Sequence, residues 1–329
     1  MPQATNPDVS IIIVNWNSSR YLRACLSSIV DQTHGVRYEV VVVDNNSSES
    51  GVVGVCEEFQ CVRLVKSEKN VGFARANNLG YYSSRAPYLL FLNPDTIIQG
   101  AAIATMLGIL TQRIDAGIVG CRLLNTDLTL QTSCVQRYPR VLNQALGADF
   151  LYSRLPRLPL WGLKSLFGET DEPSPVEVVS GACLMIRRDL FQEVGLFSGN
   201  YFMYAEDVDL CHKVAAAGWQ CYFVGSAEVV HHGGGSSRLR PVSNWAVVVQ
   251  CGAKLQFLRQ TRGAAYANVY RLSMAVSAVA RWLLLSAMTA ARVSRKARLA
   301  AAATKWAAIF HWSLHPDETL RELTATVEK

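Results

Sequence analysis

The sequence predicts an α/β protein with a mostly parallel central sheet flanked by helices, and three observations carry that expectation. From Val9 onward, short β-branched runs alternate with helix-patterned segments, as in successive βαβ units. The runs are nearly unbroken in apolar residues, as strands covered on both faces require. Three apolar runs also stop on an acid or amide: residues 40–43 on Asp44, Tyr88–Leu92 on Asn93-Pro94-Asp95, and residues 201–205 on Glu206-Asp207. In an open α/β sheet the ligand crevice lies beyond the carboxyl ends of the parallel strands, so acids delivered there point to a divalent metal and a nucleotide.

Taken in order, Val9–Asn15 reads as a strand, residues 18–30 as a helix with Leu22, Leu26 and Ile29 at helical spacing, and residues 39–43 as a second strand, a parallel opening. Residues 62–65 continue as a strand, 73–84 as a helix rich in Ala and Asn, Tyr88–Leu92 as a strand and 101–112 as a helix. After a strand at 118–124 the pattern loosens. Residues 152–175 hold Pro156, Pro159, Pro173 and Pro175 among Leu158, Leu160, Trp161, Leu163, Leu166 and Phe167, which predicts a flap or acceptor-side surface without regular structure. Order returns at 176–187, read as a strand through Gly181 to Ile186. Residues 206–217 follow as a helix with Leu210, Val214 and Ala217 on one face, ended by Gly218, and then a strand at 220–224. Past His232 an Ala, Arg, Trp and Leu mixture without proline between Val242 and His315 favours helix. A boundary near Arg240 therefore divides residues 1–240, the α/β domain, from residues 241–329, a basic helical extension containing tryptophan.

With 329 residues, 50% of them apolar, the chain can bury a large core, which excludes a disordered protein. Residues 1–10 are polar and lead straight into Ile11-Ile12-Ile13-Val14, so no secretory signal is expected. Nine cysteines without one Cys-x-x-Cys pair argue against a disulfide framework and a zinc ribbon, and for reduced thiols in a cytosolic protein. The net charge of +6 is uneven: residues 229–316 carry twelve Lys or Arg and no acid, leaving twenty basic against twenty-six acidic residues elsewhere.

Asp95 closes a strand behind a proline that fixes the backbone, giving a rigid carboxylate suited to Mg²⁺ or Mn²⁺ shared with phosphates; the plainer reading is an ordinary turn. Asp44, before Asn45, Asn46, Ser47 and Ser48, is either part of an Asx-rich turn or a base or ribose acceptor. Glu206-Asp207 opens a helix, where partly positive amides keep a carboxylate ionised and able to take a proton from a sugar hydroxyl; the plainer reading is a helix cap with Asp209 as a third acid. His231-His232 precedes Gly233-Gly234-Gly235-Ser236-Ser237 and places an imidazole at a strand end before a loop able to approach phosphates. No His-Glu-x-x-His, Gly-x-x-x-x-Gly-Lys or strand-linked Gly-x-Gly-x-x-Gly occurs, which removes zincin, P-loop and dinucleotide readings.

The segments Ile13-Val14-Asn15-Trp16-Asn17, Val43-Asp44-Asn45-Asn46-Ser47, Asn70-Val71-Gly72-Phe73-Ala74-Arg75-Ala76-Asn77, Leu92-Asn93-Pro94-Asp95 and Glu206-Asp207-Val208-Asp209-Leu210, in this order, resemble family 2 glycosyltransferases. Within that family the chain is most similar to the rhamnosyltransferase-like enzymes of bacterial cell-surface polysaccharide assembly, over residues 9–240. The resemblance implies a GT-A fold and a nucleoside-diphosphate sugar, dTDP- or UDP-linked, bound by Asn15, Asn17, Asp44, Asn46, Asn70, Gly72, Phe73, Asn77 and Asn93. It implies Asp44 toward nucleobase and ribose, Asp95 on a Mg²⁺ or Mn²⁺ that bridges the diphosphate, and Asp207 as base of a single inverting displacement with Glu206 beside it. His231 resembles the histidine that such enzymes sometimes bring to the metal or diphosphate, and His232 matches nearly as well. One departure is that Asn93 stands where the wider family's Asp-x-Asp metal motif has its first acid, so the ion is expected to be held mainly through the nucleotide.

In the extension, Arg271 and Arg281 interrupt the apolar residues 264–290, so a spanning helix is not expected. Trp282, Leu283, Leu284 and Leu285, followed by Arg292, Arg295, Lys296 and Arg298 and then Trp306, Phe310 and Trp312, fit an interfacial anchor on anionic lipid. Packing on the catalytic domain or on a second copy in a homodimer is the alternative. Nucleic acid is not expected, because no binding motif accompanies the charge. The sequence thus predicts a cytoplasmic enzyme, peripheral on the inner face of the cell membrane, that transfers a hexose or deoxyhexose, rhamnose among them, to a lipid-linked or polysaccharide acceptor. Its rivals are a sugar-nucleotide nucleotidyltransferase, whose Gly-rich basic loop is missing after the first strand, and a non-catalytic scaffold, against which the intact strand-end acids speak.

Overall fold

β-branched runs form the inner strands of a nine-stranded sheet in the computed structural model, which describes residues 6–147, 172–233, 244–290 and 296–319. The elements that build the site are β1 (Val9–Asn15), α1 (Ser19–Gln32), β2 (Tyr38–Asp44), α2 (Val52–Glu57), β3 (Val62–Lys66), α3 (Phe73–Tyr82), β4 (Tyr88–Leu92), β5 (Thr96–Gln99), α4 (Ala102–Gln112) and β6 (Ala116–Leu124). After them come β7 (Val135–Gln136), α5 (Val141–Ala145), β8 (Ser174–Val176), β9 (Val178–Val179), β10 (Cys183–Arg187), α6 (Arg188–Glu193), α7 (Glu206–Ala216) and β11 (Gln220–His231). The strand order is β3-β2-β1-β4-β10-β6-β11-β5, with β8 also on β11, while β7 and β9 form a separate pair.

The pairs β1–β2, β1–β4, β2–β3 and β6–β11 are parallel, as the βαβ pattern predicts. The strands β10 and β5 run antiparallel to their neighbours, so the sheet is mixed. Ile11, Ile12, Ile13, Val41, Val42, Leu90 and Phe91 are fully buried, which is why their runs show no polar alternation. Amphipathic α1 covers the sheet through Leu22, Cys25, Leu26 and Ile29. Its first turn is closed from outside, where Glu49 accepts the Ser19 amide at 2.6 Å, an anion on the orphan donors of a helix start.

The strands depart from the sequence pattern at two places. Residues 176–187 are not one strand: β8 and β9 are short, Gly181 and Ala182 form a turn, and β10 starts at Cys183. The Gly181 amide and Ala182 carbonyl bond outside the ladder, to Asp207 and to the Asn93 amide, so the strand cannot run through them. The strand at 220–224 extends to His231: beyond a register shift between Val224 and Glu228, β11 pairs with β6 again through Arg122, Leu123 and Leu124 and with β5 on its other side. The expected boundary near Arg240 and residues 152–171 of the expected flap lie outside the described residues.

The described residues divide into two compact units: 6–138, 172–202 and 206–233 form one, and 139–147, 203–205, 244–290 and 296–319 the other. The second unit contains α5, α8 (Trp245–Ala290) and α9 (Lys296–Leu314). Gly263, at φ 85° and ψ 168°, breaks α8 into two helical segments, a backbone state that glycine adopts without steric cost. Trp245–Met288 is long and apolar enough to cross a membrane by length and composition alone. Arg271 and Arg281 lie within it, so it contains no charge-free stretch of spanning length.

The expected anchor residues separate into two groups. Trp282, Leu283 and Leu284 are exposed, together with Val269, Leu272 and Val276, whereas Trp312 and Trp245 are buried. The Trp312 ring lies 6.3 Å from that of Tyr270, and Trp306 lies under the Arg281 guanidinium at 4.4 Å. Trp312 is therefore core and not anchor. We expect Trp312→Ala to lower the unfolding free energy by about 3–5 kcal/mol and Trp282→Ala to change it by less than about 0.5 kcal/mol. Chemical denaturation followed by circular dichroism measures both, and equal losses would contradict the assignment.

Candidate active site

Strands β1 and β2 end in register, Asn15 opposite Asp44, and their loops are laced together. Asn15 is buried and donates through Nδ2 to Ser47 Oγ at 3.1 Å, while its Oδ1 has no hydrogen-bond partner. Asn17 and Asn46 take left-handed φ values of 50° and 60°, which asparagine tolerates better than most residues. Asn17 Oδ1 accepts the Ser48 amide at 2.8 Å, and Asp44 Oδ1 accepts the Ser47 amide at 3.3 Å. The Asx turn expected after β2 is thus present, with the Asp44 carboxylate half-buried at the strand end and Asn46 exposed.

The loop from β3 to α3 is fixed by a buried amide pair. Asn45 Nδ2 donates to Asn70 Oδ1 at 2.8 Å, and these two side chains accept the Val71 and Gly72 amides at 3.0 Å. Asn45 stands between two other polar residues in the sequence, which gives no signal of its burial. Gly72, at φ 82°, lies so close to Phe202 that a Cβ there would overlap the Phe202 carbonyl, which accepts the Phe73 amide at 2.7 Å. Asn77 is buried and donates to the Phe73 carbonyl at 3.0 Å. Farther along α3, Arg75 Nε donates to the Gly199 carbonyl and Asn78 Nδ2 to the Phe197 carbonyl. Helix α3 therefore holds the segment that leads toward Glu206.

At the end of β4, Asp95 is 6% exposed. Pairing of β5 with β11 puts Thr96 opposite His231, and His231 Nε2 lies 3.3 Å from Asp95 Oδ1 and 3.2 Å from Asn93 Nδ2. His232 turns away: its amide donates to the Asp95 carbonyl at 2.9 Å and its ring lies 5.2 Å from that of Tyr21. The choice the sequence left open between the two histidines falls on His231 as the partner of Asp95. Behind it, His231 Nδ1 is 2.7 Å from Gln131 Oε1. Among the described residues no three His, Cys, Asp or Glu side chains gather as a metal cage, so a cation at Asp95 and His231 would take its other ligands from substrate and water. One carboxylate oxygen and one imidazole nitrogen converging at this distance fit such a partial site.

The second acidic centre is joined to the first through the turn before β10. The Asn93 amide donates to the Ala182 carbonyl, and the Gly181 amide to Asp207 Oδ2, both at 2.9 Å. Asp207 Oδ1 accepts the Val208 amide at 2.8 Å, so this half-buried carboxylate is held by two backbone donors at the start of α7. Its neighbour Glu206 is 6% exposed, with Oε2 lacking a hydrogen-bond partner. Burial, reinforced by the Asp207 charge, pushes the Glu206 carboxyl from an ordinary value of 4.5 up to about 8. For Glu206 desolvation outweighs the helix-start amides expected to keep one carboxylate here ionised, and backbone donors go to Asp207. Asp209 is engaged by Lys213, whose Nζ lies 3.1 Å from Oδ2.

Strand-end acids, asparagine-rich loops and a helix that begins on a carboxylate pair define a glycosyltransferase of GT-A fold. The chain belongs to glycosyl transferase family 2, whose model matches residues 10–195, and the model of glycosyl transferase family group 2 matches residues 163–315. It is similar to the N-acetylglucosaminyl-diphospho-decaprenol L-rhamnosyltransferase of Mycobacterium tuberculosis, with 30% identity over 72% of this chain and 80% of that one. It is also similar to rhamnosyltransferase WbbL of Escherichia coli K12, with 26% identity over 68% and 83%. In fold it resembles the mannosyltransferase PcManGT from Pyrobaculum calidifontis, solved with GDP-Man and Mn²⁺. The TM-score is 0.57 with 17% identity, covering 94% of this chain and 88% of the other.

The Glu206 shift fixes the sign of a pH effect. The folded protein keeps this proton up to about pH 8, whereas an unfolded chain releases it near 4.5, so between these values stability falls as pH rises. We expect the melting temperature of Glu206→Gln to fall less than that of the wild type over this interval. Parallel melting curves across pH would show that the carboxyl is not buried neutral.

Proposed function

We propose that the protein is an inverting, metal-assisted glycosyltransferase that moves a deoxyhexose, rhamnose first among the candidates, from a dTDP- or UDP-sugar to a lipid-linked or growing polysaccharide acceptor. One observation carries the reading: Asn93, whose side chain touches His231 beside Asp95, and the carboxylate of Asp207 are both hydrogen-bonded to a single turn, Gly181-Ala182. Similarity to two rhamnosyltransferases, one named for a decaprenyl-diphosphate-linked substrate, supports the sugar and the acceptor class.

In this reading Asp207 accepts the proton of the acceptor hydroxyl. The hydroxyl oxygen then bonds to the anomeric carbon, and the bond from that carbon to the diphosphate oxygen breaks, its electron pair leaving with the nucleoside diphosphate. Glu206, uncharged below about pH 8, supplies a hydroxyl donor beside the base. Asp44, Asn15, Asn17 and Asn46 face nucleobase and ribose, Asn93 faces the diphosphate, and Asn70, Gly72, Phe73 and Asn77 act on the donor through the loop they hold. Asp95 and His231 would hold the Mg²⁺ or Mn²⁺ ion, which when bound offsets the charge of the leaving diphosphate. The mixed oxygen and nitrogen pair favours Mn²⁺ over Mg²⁺, which prefers oxygen alone.

The division into a catalytic part, 1–240, and an accessory part, 241–329, follows from the same reading. Exposed Trp282, Leu283 and Leu284, on a helix without acids, make the accessory part a contact for anionic lipid on the cytoplasmic face of the membrane.

We expect Asp207→Asn to lower turnover by about a hundredfold or more, with the Mn²⁺-dependent thermal shift given by dTDP-rhamnose or a UDP-sugar unchanged. Equal loss of donor binding and turnover would remove the base role. Cosedimentation with vesicles containing phosphatidylglycerol should fall for the combined Trp282→Ala and Leu283→Ala variant and vanish with pure phosphatidylcholine; binding indifferent to both would remove the membrane role.

A further inference from the structure

The chain between β6 and β7 folds back on itself so that Gln131 stands behind His231. The Gln131 amide donates to the Leu123 carbonyl at 2.8 Å, and its side-chain Nε2 donates to the His231 carbonyl at 3.3 Å and to Asn125 Oδ1 at 3.2 Å. Asn125 is itself oriented, since its Nδ2 donates to Thr129 Oγ1 at 3.0 Å and to the Leu130 carbonyl at 3.4 Å. Backbone carbonyls can only accept, so both amide side chains are fixed in direction. Gln131 is left with Oε1 against His231 Nδ1 at 2.7 Å, and that nitrogen must carry the proton. On the far side of the ring, Nε2 has both the Asn93 Nδ2 donor at 3.2 Å and the Asp95 Oδ1 acceptor at 3.3 Å; with the proton on Nδ1, its lone pair meets the Asn93 donor and lies beside the carboxylate.

We infer that Gln131 is a positioning residue which locks His231 in the Nδ1–H tautomer and so presents the Nε2 lone pair, beside Asp95, as a ligand for the divalent cation. This deepens the proposed metal role of Asp95 and His231 and rests on it. The arrangement has the logic of outer-shell partners at metal-bound histidines, where the bond to the far nitrogen sets tautomer and ring orientation. Neither an exposed turn residue nor a chance surface contact would need two successive amides aligned by main-chain carbonyls. Asn125 belongs to the same chain of contacts: without its oxygen, Gln131 loses one of the two acceptors that prevent its amide from reversing.

The test uses the full chain. Long-range ¹H–¹⁵N correlation spectra of histidine-labelled protein at neutral pH, with His231 assigned through His231→Gln, should show the Nδ1–H tautomer in the wild type and in Asn125→Asp, and a shift toward Nε2–H in Gln131→Leu and Asn125→Ala. Mn²⁺ binding in the presence of UDP, read by electron paramagnetic resonance, should weaken about tenfold in Gln131→Leu and be held in Gln131→Glu, which keeps an acceptor for Nδ1–H. An Nε2–H tautomer or a doubly protonated ring in the wild type overturns the inference. So does a Gln131→Leu protein that binds Mn²⁺ as the wild type does, an outcome that leaves the proposed metal role of Asp95 and His231 standing. A wild type that binds no Mn²⁺ with UDP overturns that role and the inference together.

Discussion

The antiparallel strand β10 enters the sheet between β4 and β6, and the turn that feeds it holds both acidic centres. Ala182 takes the amide of Asn93 at the end of β4, and Gly181 gives its amide to Asp207 at the start of α7. A parallel strand in this place would enter from the opposite edge and leave the two centres without a common support. Two hydrogen bonds of ordinary strength, each contributing about 1 kcal/mol net, thus decide a geometry that the large hydrophobic term cannot. Burial of Ile11, Phe91 and their neighbours drives the sheet to form, yet it is indifferent to where a carboxylate finishes.

Asp95 and Glu206 are buried to the same extent, each 6% exposed, and the fold treats them differently. Asp95 has an imidazole at 3.3 Å as its partner. Glu206 has an oxygen with no partner and the Asp207 charge nearby, and it retains its proton. A buried carboxyl must be paired or neutral, and the two halves of the site take one answer each. In the proposed mechanism that contrast separates the place for a cation from the place for the acceptor hydroxyl.

Much of this was legible in the sequence. The strands β1, β2 and β4 show as unbroken apolar runs because they are covered on both faces, and Asp44, Asp95 and Asp207 stand where those runs or their helices begin and end. The antiparallel strands were less legible. The Gly225-Ser226 pair interrupts the apolar pattern of β11, and no local signal tells that the chain resumes pairing with β5 beyond it. His231 and His232 are equivalent in a sequence; successive residues of a strand face opposite ways, and only the partner strand decides which one meets Asp95. Gln131 lies a hundred positions from its histidine, and Trp312 differs from Trp282 only in what α8 and α9 place around it. Long-range contacts of this kind leave no mark on periodicity.

The closeness of Gly72 to the Phe202 carbonyl limits how the enzyme can be redesigned. The loop from β3 to α3 and the segment before the carboxylate pair meet where Gly72 lies against the carbonyl and ring of Phe202, with no room for a side chain between them. A mutant library directed at this loop can diversify Val71 and Phe73 but has to keep glycine between them.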